Sequence, residues 1–326
     1  MQKTVAVAAL SAALLAGPVS GLLPEPEHES GQKPSKDEIG KPLAELAAGK
    51  RDPKTLRIEV IWAEGRKRSS ARLFGNGVCI WNDNAQLRLS RTDVSSIASA
   101  LNQARFGAMS SQLGEAGDLP RLHGMMEVSI AGKTKKVVQL ADGGQSEAFS
   151  ALASRILGLA GERAKTGVTA SSLADALAKL STGALAPEVL RLTAVRRQEQ
   201  PDATARGWLL QVEGRQVLAR PLARGGYGSQ RRLELSDAEA RSLAGALRES
   251  NPESLPSNLY GSDYMSLKID ALQWSRDLLA RRSPNVTAET HGDRQKAFDR
   301  LMEYLTKLEE RAEKEGLLDA GRQDAK

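Results

Sequence analysis

From residue 56 onward the chain is built of short strand-like runs, at residues 56–62, 71–81 and 86–89, in which apolar and polar positions alternate in 56–60 and 86–89 while 78–81 is wholly apolar. That period of two marks half-buried strands. The Gly75-Asn76-Gly77 triplet kinks the second run. Beyond Ser90 the period changes. Val94, Ile97, Ala98 and Leu101 recur every three or four positions, which gives a helix one apolar face, and Ser90 with Asp93 three residues later supplies its N-terminal cap. Alternation returns at residues 126–130 and 136–140, whose connection Ala131-Gly132-Lys133-Thr134 has the length of a hairpin loop. Phe149, Leu152, Ile156 and Leu159 then line one side of a second helix over residues 147–165.

The same order comes round again. Strands are expected at residues 189–195, 207–212 and 216–222, and Arg232-Leu233-Glu234-Leu235-Ser236 stands where the first pass has Gln86-Leu87-Arg88-Leu89-Ser90. Aligned without gaps, residues 86–111 and 232–257 share eight identities, among them Leu87 with Leu233, Ser90 with Ser236 and Leu101 with Leu247. The closing helices add Phe149 with Phe298 and Leu152 with Leu301. Two unrelated strand-and-helix pairs would also look alike locally, but the likeness recurs in the same order with a strand pair between, as an internal duplication requires. The expected fold class is α+β, with two similar domains, each a small, mainly antiparallel sheet covered by two helices.

Around this body the composition sets further boundaries. Met1–Gly21 has a basic start at Lys3, an apolar run over residues 5–16 and a small-residue exit through Gly17, Ser20 and Gly21, the layout of a secretory signal. The apolar run is shorter than the roughly 20 residues a bilayer requires, which argues against an uncleaved anchor. No cysteine stands at the exit to receive a lipid. Residues 22–54, with Pro24, Pro26, Pro34, Pro42 and Pro53 among charged residues, read as a disordered arm. Residues 55–165 are then the first copy, 166–187 a helical connector carrying Leu173, Leu177 and Leu180, 188–315 the second copy and 316–326 a disordered tail. The expected place of work is outside the cytoplasm, secreted or in the envelope, with no transmembrane anchor once the signal is removed.

Charge narrows the partners. Lys and Arg exceed Asp and Glu by 17 − 11 = +6 over residues 51–165, while the rest of the chain is close to balance. A basic excess favours acidic partners, but four Trp, four Tyr and four Phe offer few stacking platforms, so nucleic acid is not expected. The single Cys79, between Val78 and Ile80, reads as a small buried hydrophobe and excludes an internal disulfide.

Candidate chemistry is sparse. His28, His123 and His291 are scattered and read as surface residues; with one cysteine there is no thiolate zinc pattern, so no catalytic, cofactor or metal residues are assigned. Asp118, Asp142, Asp263 and Asp270 lie near strand ends, where carboxylates acting together would make an envelope hydrolase. The segment Gly225-Gly226-Tyr227-Gly228-Ser229-Gln230-Arg231-Arg232 joins two strands and lacks the Gly-Lys-Ser/Thr of a phosphate loop; it reads as a hairpin tip, and Gly225, Gly226, Tyr227, Arg231 and Arg232 are the candidate interaction residues. Asn285-Val286-Thr287 is a formal glycosylation sequon.

The layout of each copy resembles the emfourin family, small bacterial proteins that include an inhibitor of thermolysin-like metallopeptidases. The residues that carry the likeness are Asp263-Tyr264-Met265-Ser266-Leu267-Lys268-Ile269 with Ala297-Phe298, Leu301 and Leu305 in the second copy, and 126–130, Gly132, Asp142, Phe149 and Leu152 in the first. A Gly-Gly-Phe-like segment after the first strand is missing from both copies. The resemblance implies an α+β fold and a protease-inhibitor-like role. The leading expectation is a non-enzymatic binding module with a protein partner outside the cytoplasm. The alternatives are the hydrolase and a structural envelope protein.

Overall fold

A computed structural model of the chain describes residues 38–318, apart from 65–66, 115–121, 142–145, 200–204, 224–225, 256, 262–263 and 283–292. The expected export signal lies outside the described residues, as do the arm up to residue 37 and the tail beyond residue 318.

The described chain opens with helix α1 (Gly40–Ala47) and a 3-10 turn (Pro53–Thr55), followed by β1 (Arg57–Glu64), β2 (Lys67–Phe74), β3 (Val78–Trp81) and β4 (Ala85–Arg88). Next come α2 (Arg91–Gln103), β5 (Gln112–Leu113), β6 (Leu122–Ile130), β7 (Lys133–Leu140) and α3 (Glu147–Arg163). The second half starts with α4 (Leu173–Thr182) and a 3-10 turn (Pro187–Val189), then β8 (Leu190–Glu199), β9 (Ala205–Glu213), β10 (Gln216–Ala223), the short β11 (Gly226–Tyr227) and β12 (Arg231–Glu234). It closes with α5 (Asp237–Glu249), β13 (Asn258–Gly261), β14 (Tyr264–Ala271), β15 (Trp274–Arg282), α6 (Asp293–Glu315) and β16 (Leu317–Leu318).

The fold is α+β with two sheets. The first runs β4-β3-β2-β1-β6-β7-β5. Read from its β12 side the second runs β12-β10-β9-β8-β14-β15-β13, with β16 added outside β12 and β11 hung on β10. Strand for strand this is the first order repeated. Every pairing is antiparallel except the last of each sheet, β7 with β5 and β15 with β13, which are parallel.

Helix ends repeat as well. Ser90 and Asp93 form a capping box at α2, and Ser236 with Glu239 forms the same box at α5. Each box acid also receives an arginine from the closing helix. Arg163 of α3 lies 2.9 Å from Asp93, and Arg311 of α6 pairs with Glu239. Burial pushes the Asp93 carboxyl up, but the Ser90 hydroxyl and N–H and the Arg163 charge outweigh it and hold it below its ordinary value. Glu239 is held down to about 2 by the Ser236 hydroxyl and N–H and by Arg311. In both halves the closing helix thus sends an arginine to the box acid, from positions one residue apart when Phe149 is aligned with Phe298.

Three boundaries shift. The arm expected to be disordered through residue 54 is ordered from Glu38, and just beyond it Ile39, Leu43 and Leu46 enter the first core and α1 packs on α2. Those residues recur at four and three positions, and Pro42 falls in the first helical turn, where its missing N–H would have had no partner. The connector is helical, but Leu173, Ala176, Leu177 and Leu180 belong to the second core and α4 packs on α5. It is the counterpart of α1. The tail expected to be disordered from residue 316 begins with β16, paired to Arg231 and Arg232. The run at residues 71–81 is two strands, closed by a turn in which the Gly77 N–H donates to Phe74 O at 2.9 Å. The hairpin at residues 126–140 turns on Ala131 and Gly132 alone, both at positive φ (53° and 76°), leaving Lys133 and Thr134 inside β7.

One buried carboxyl breaks the symmetry. Ala160 of α3 is buried, and Glu309 is buried in the matching stripe of α6. Burial, with Glu313 and Glu310 nearby, raises the Glu309 carboxyl to about 7. Unfolded glutamate titrates near ~4.3, so the folded chain holds this proton more tightly, and its contribution to stability falls as pH rises from about 4 through 7. Replacing Glu309 with Gln removes this penalty. The variant is expected to be more stable at pH 8 by on the order of 2 kcal/mol, with the gain vanishing near pH 4, in urea titrations at the two pH values. Equal gains at both would contradict the assignment.

Candidate functional site

The two halves meet on a face that no helix covers. In β1, Ile58 and Val60 point to the helices and are buried in the first core, so Arg57, Glu59 and Ile61 point away. Their register partners in β2 are Phe74, Arg72 and Ser70. In the second sheet Leu190, Leu192 and Ala194 face the helices, which turns Arg191 of β8 and its partner Glu213 of β9 to the open side. The helix-free faces of the two sheets therefore adjoin at Arg57, Arg72, Arg191 and Glu213.

This seam is polar at its centre and apolar at its flank. Arg57 and Glu213 form a two-pronged pair at 2.7 and 2.6 Å, the planar fork-to-carboxylate geometry that arginine favours. Burial alone would lower Arg57, but the Glu213 carboxylate outweighs it and raises the guanidinium further. The Arg57 guanidinium also lies 5.8 Å from the centre of the Phe74 ring. Asn76 donates to Glu188 at 2.7 Å, and the buried Gln86 accepts the Ala186 N–H at 2.5 Å while its backbone pairs with Val168. On the flank, Ile80 of β3 is buried in the core of the second half, with Phe74 packed against the same cluster.

Beside the pair lies a cleft of about 480 Å³. Arg68, Ser70 and Arg72 of β2, Glu59 and Ile61 of β1, and Arg191 of β8 line it, together with Asn82 and Asp83 of the β3–β4 turn. That turn is shaped by its residues: Asn82 and Asp83 both take positive φ, 48° and 50°, where the chain reverses between Trp81 and its partner Ala85, and Asn and Asp tolerate that region best after Gly. The turn brings Asp83 Oδ1 to 2.6 Å from Arg72 Nη2. Arg72 has only 6% of its side chain exposed, against 53% for Asp83. Burial lowers the Arg72 guanidinium, and the charge of Arg191 lowers it further. Arg72 Nη1 and Arg191 Nε are buried without a hydrogen-bond partner; Arg191 Nε stands 3.4 Å from Glu213 Oε1, off hydrogen-bond geometry.

The residues singled out by sequence lie elsewhere. Gly225 is outside the described residues, and Gly226 and Tyr227 form β11, paired to Ala223 and Leu222 as the far side of a hairpin. Arg231 donates to Gly316 O at 3.3 Å and so anchors the end of α6, while Arg232 is exposed on β12, three strands from Arg191. Asp118, Asp142 and Asp263 are outside the described residues, as are His28, His291 and the sequon at Asn285. Asp270 sits on β14 opposite Arg191. His123, expected at the surface, is half-buried edge-on against Trp62, their ring centres 4.5 Å apart. Trp62 also covers Gly124, its partner across the strands, where a Cβ would come within 2.5 Å of the indole. Cys79 is buried, and burial pushes its thiol up to about 12, so it packs as a small apolar side chain.

Among the described residues no group of His, Cys, Asp and Glu is placed to hold a metal, and no helix is long and apolar enough to cross a membrane. Compared with known proteins, the chain matches no family model and no curated protein.

Proposed function

We propose that the protein is a non-enzymatic binding protein working outside the cytoplasm, whose two fused copies present their helix-free sheet faces together to a protein partner. The observation that carries this reading is the seam. Arg57 of one face and Glu213 of the other interlock, so two copies of one scaffold are held in fixed relation, the condition under which a second contact adds to the first at little further entropic cost. The signal-like N-terminus supports the location. The resemblance of each copy to emfourin-like inhibitors makes a thermolysin-type metallopeptidase the first partner to test.

The test is to mix the purified mature chain with such a peptidase and follow both inhibition and co-elution in size-exclusion chromatography. A stable complex of defined stoichiometry is expected. Absence of any complex, together with turnover in a hydrolase screen that is lost in the D270N variant, would replace binding by catalysis.

A further inference from the structure

We propose that the seam cleft receives a carboxylate of an acidic peptide segment, held between Arg72 and Arg191. This inference rests on the binding reading above and names the chemistry of its ligand.

A buried guanidinium N–H without an acceptor is uncommon, because leaving a charged donor unpaired in a low dielectric is unfavourable. Arg72 Nη1 is such an N–H, on a side chain only 6% exposed, and Arg72 lines the cleft together with Arg191 of the other half. The acids nearby do not complete it. Glu213 is engaged by both prongs of Arg57 and pairs with Arg191 Nε at 3.4 Å, and Asp83 offers Arg72 one oxygen on its Nη2 side and leaves Nη1 open. An oxyanion entering the cleft would accept from Arg72 Nη1 and lessen the repulsion between the two arginines. Carboxylate is the natural fit to arginine, and the lining favours it on a peptide rather than as a free ion. The space is many times that of one ion, Ile61 offers an apolar wall for a side-chain stem, and Glu59 supplies an acceptor for backbone N–H groups, which a free phosphate lacks.

The probe is a blocked hexa-glutamate peptide titrated into the full mature chain at low salt, beside hexa-glutamine and inorganic phosphate. Binding of hexa-glutamate is expected, with no measurable binding of hexa-glutamine and weaker binding of phosphate. The R191Q variant, changed at a part-exposed position that leaves the Arg57–Glu213 pair in place, is expected to lose at least tenfold in affinity. R72K keeps the charge but not the fork, and should lose a similar factor while remaining folded by circular dichroism. Equal affinity of both variants and the parent, no binding by the parent, or tighter binding of phosphate than of peptide would each overturn the proposal. A partner protein retained equally by parent and R191Q would overturn the cleft assignment and leave the binding function standing.

Discussion

Replacing Gly75, a buried turn residue, with alanine is expected to destabilise the protein by more than about 3 kcal/mol. A Cβ at this position would sit 1.4 Å from the carbonyl oxygen of Pro53 and 2.3 Å from its carbon. Both are backbone atoms, and neither can swing aside. The turn is tied there by the Gly75 N–H, which donates to Leu56 O at 2.7 Å, so relief requires moving the 3-10 turn or the β2–β3 connection as a whole. Gly49 provides the control, since a Cβ there meets nothing within 4 Å and the only cost is its positive φ of 71°. Urea titration should show a much lower midpoint for G75A than for G49A. Matching midpoints would mean that the two turns do not touch.

Replacing Ile80 with alanine is expected to cost on the order of 3 kcal/mol, and to loosen the half to which Ile80 does not belong. Ile80 lies in the first sheet, yet 1% of it is exposed and it packs in the core of the second half. Its neighbour Cys79 faces the first core, so C79A is the natural comparison. Hydrogen exchange read by mass spectrometry should quicken in β8 and β9 for I80A and in β1 and β2 for C79A. Quickening confined to the first sheet in both variants would show that Ile80 does not join the cores.

Much of this architecture was legible in the chain because burial follows period. The cap at Ser90, the stripe from Val94 to Leu101 and the strands at residues 189–222 fall where alternation and helical spacing place them. Helix α1 was hidden by composition: prolines and charges around it read as an arm, although Ile39, Leu43 and Leu46 carried the stripe. The seam was not legible at all, for a different reason. Alternation reports that Arg57, Glu59, Arg72 and Arg191 share a face opposite the core, and such a face is normally left to water. Whether the open face of a second sheet comes to adjoin it depends on contacts between residues more than a hundred positions apart, such as Arg57 with Glu213. The arginines that did draw attention, Arg231 and Arg232, sit beside glycines, a local signal that marked a hairpin and the anchoring of α6.

The central claim is that two copies of one scaffold are locked through Arg57, Glu213 and Ile80 into a single binding platform. Differential scanning calorimetry of the chain tests it most directly, provided unfolding is reversible. One transition is predicted, with calorimetric and van't Hoff enthalpies equal, as a single cooperative unit requires. Two resolved transitions, one shifted by C79A and the other by a change in the second core such as F298A, would contradict it and leave two independent domains on one chain.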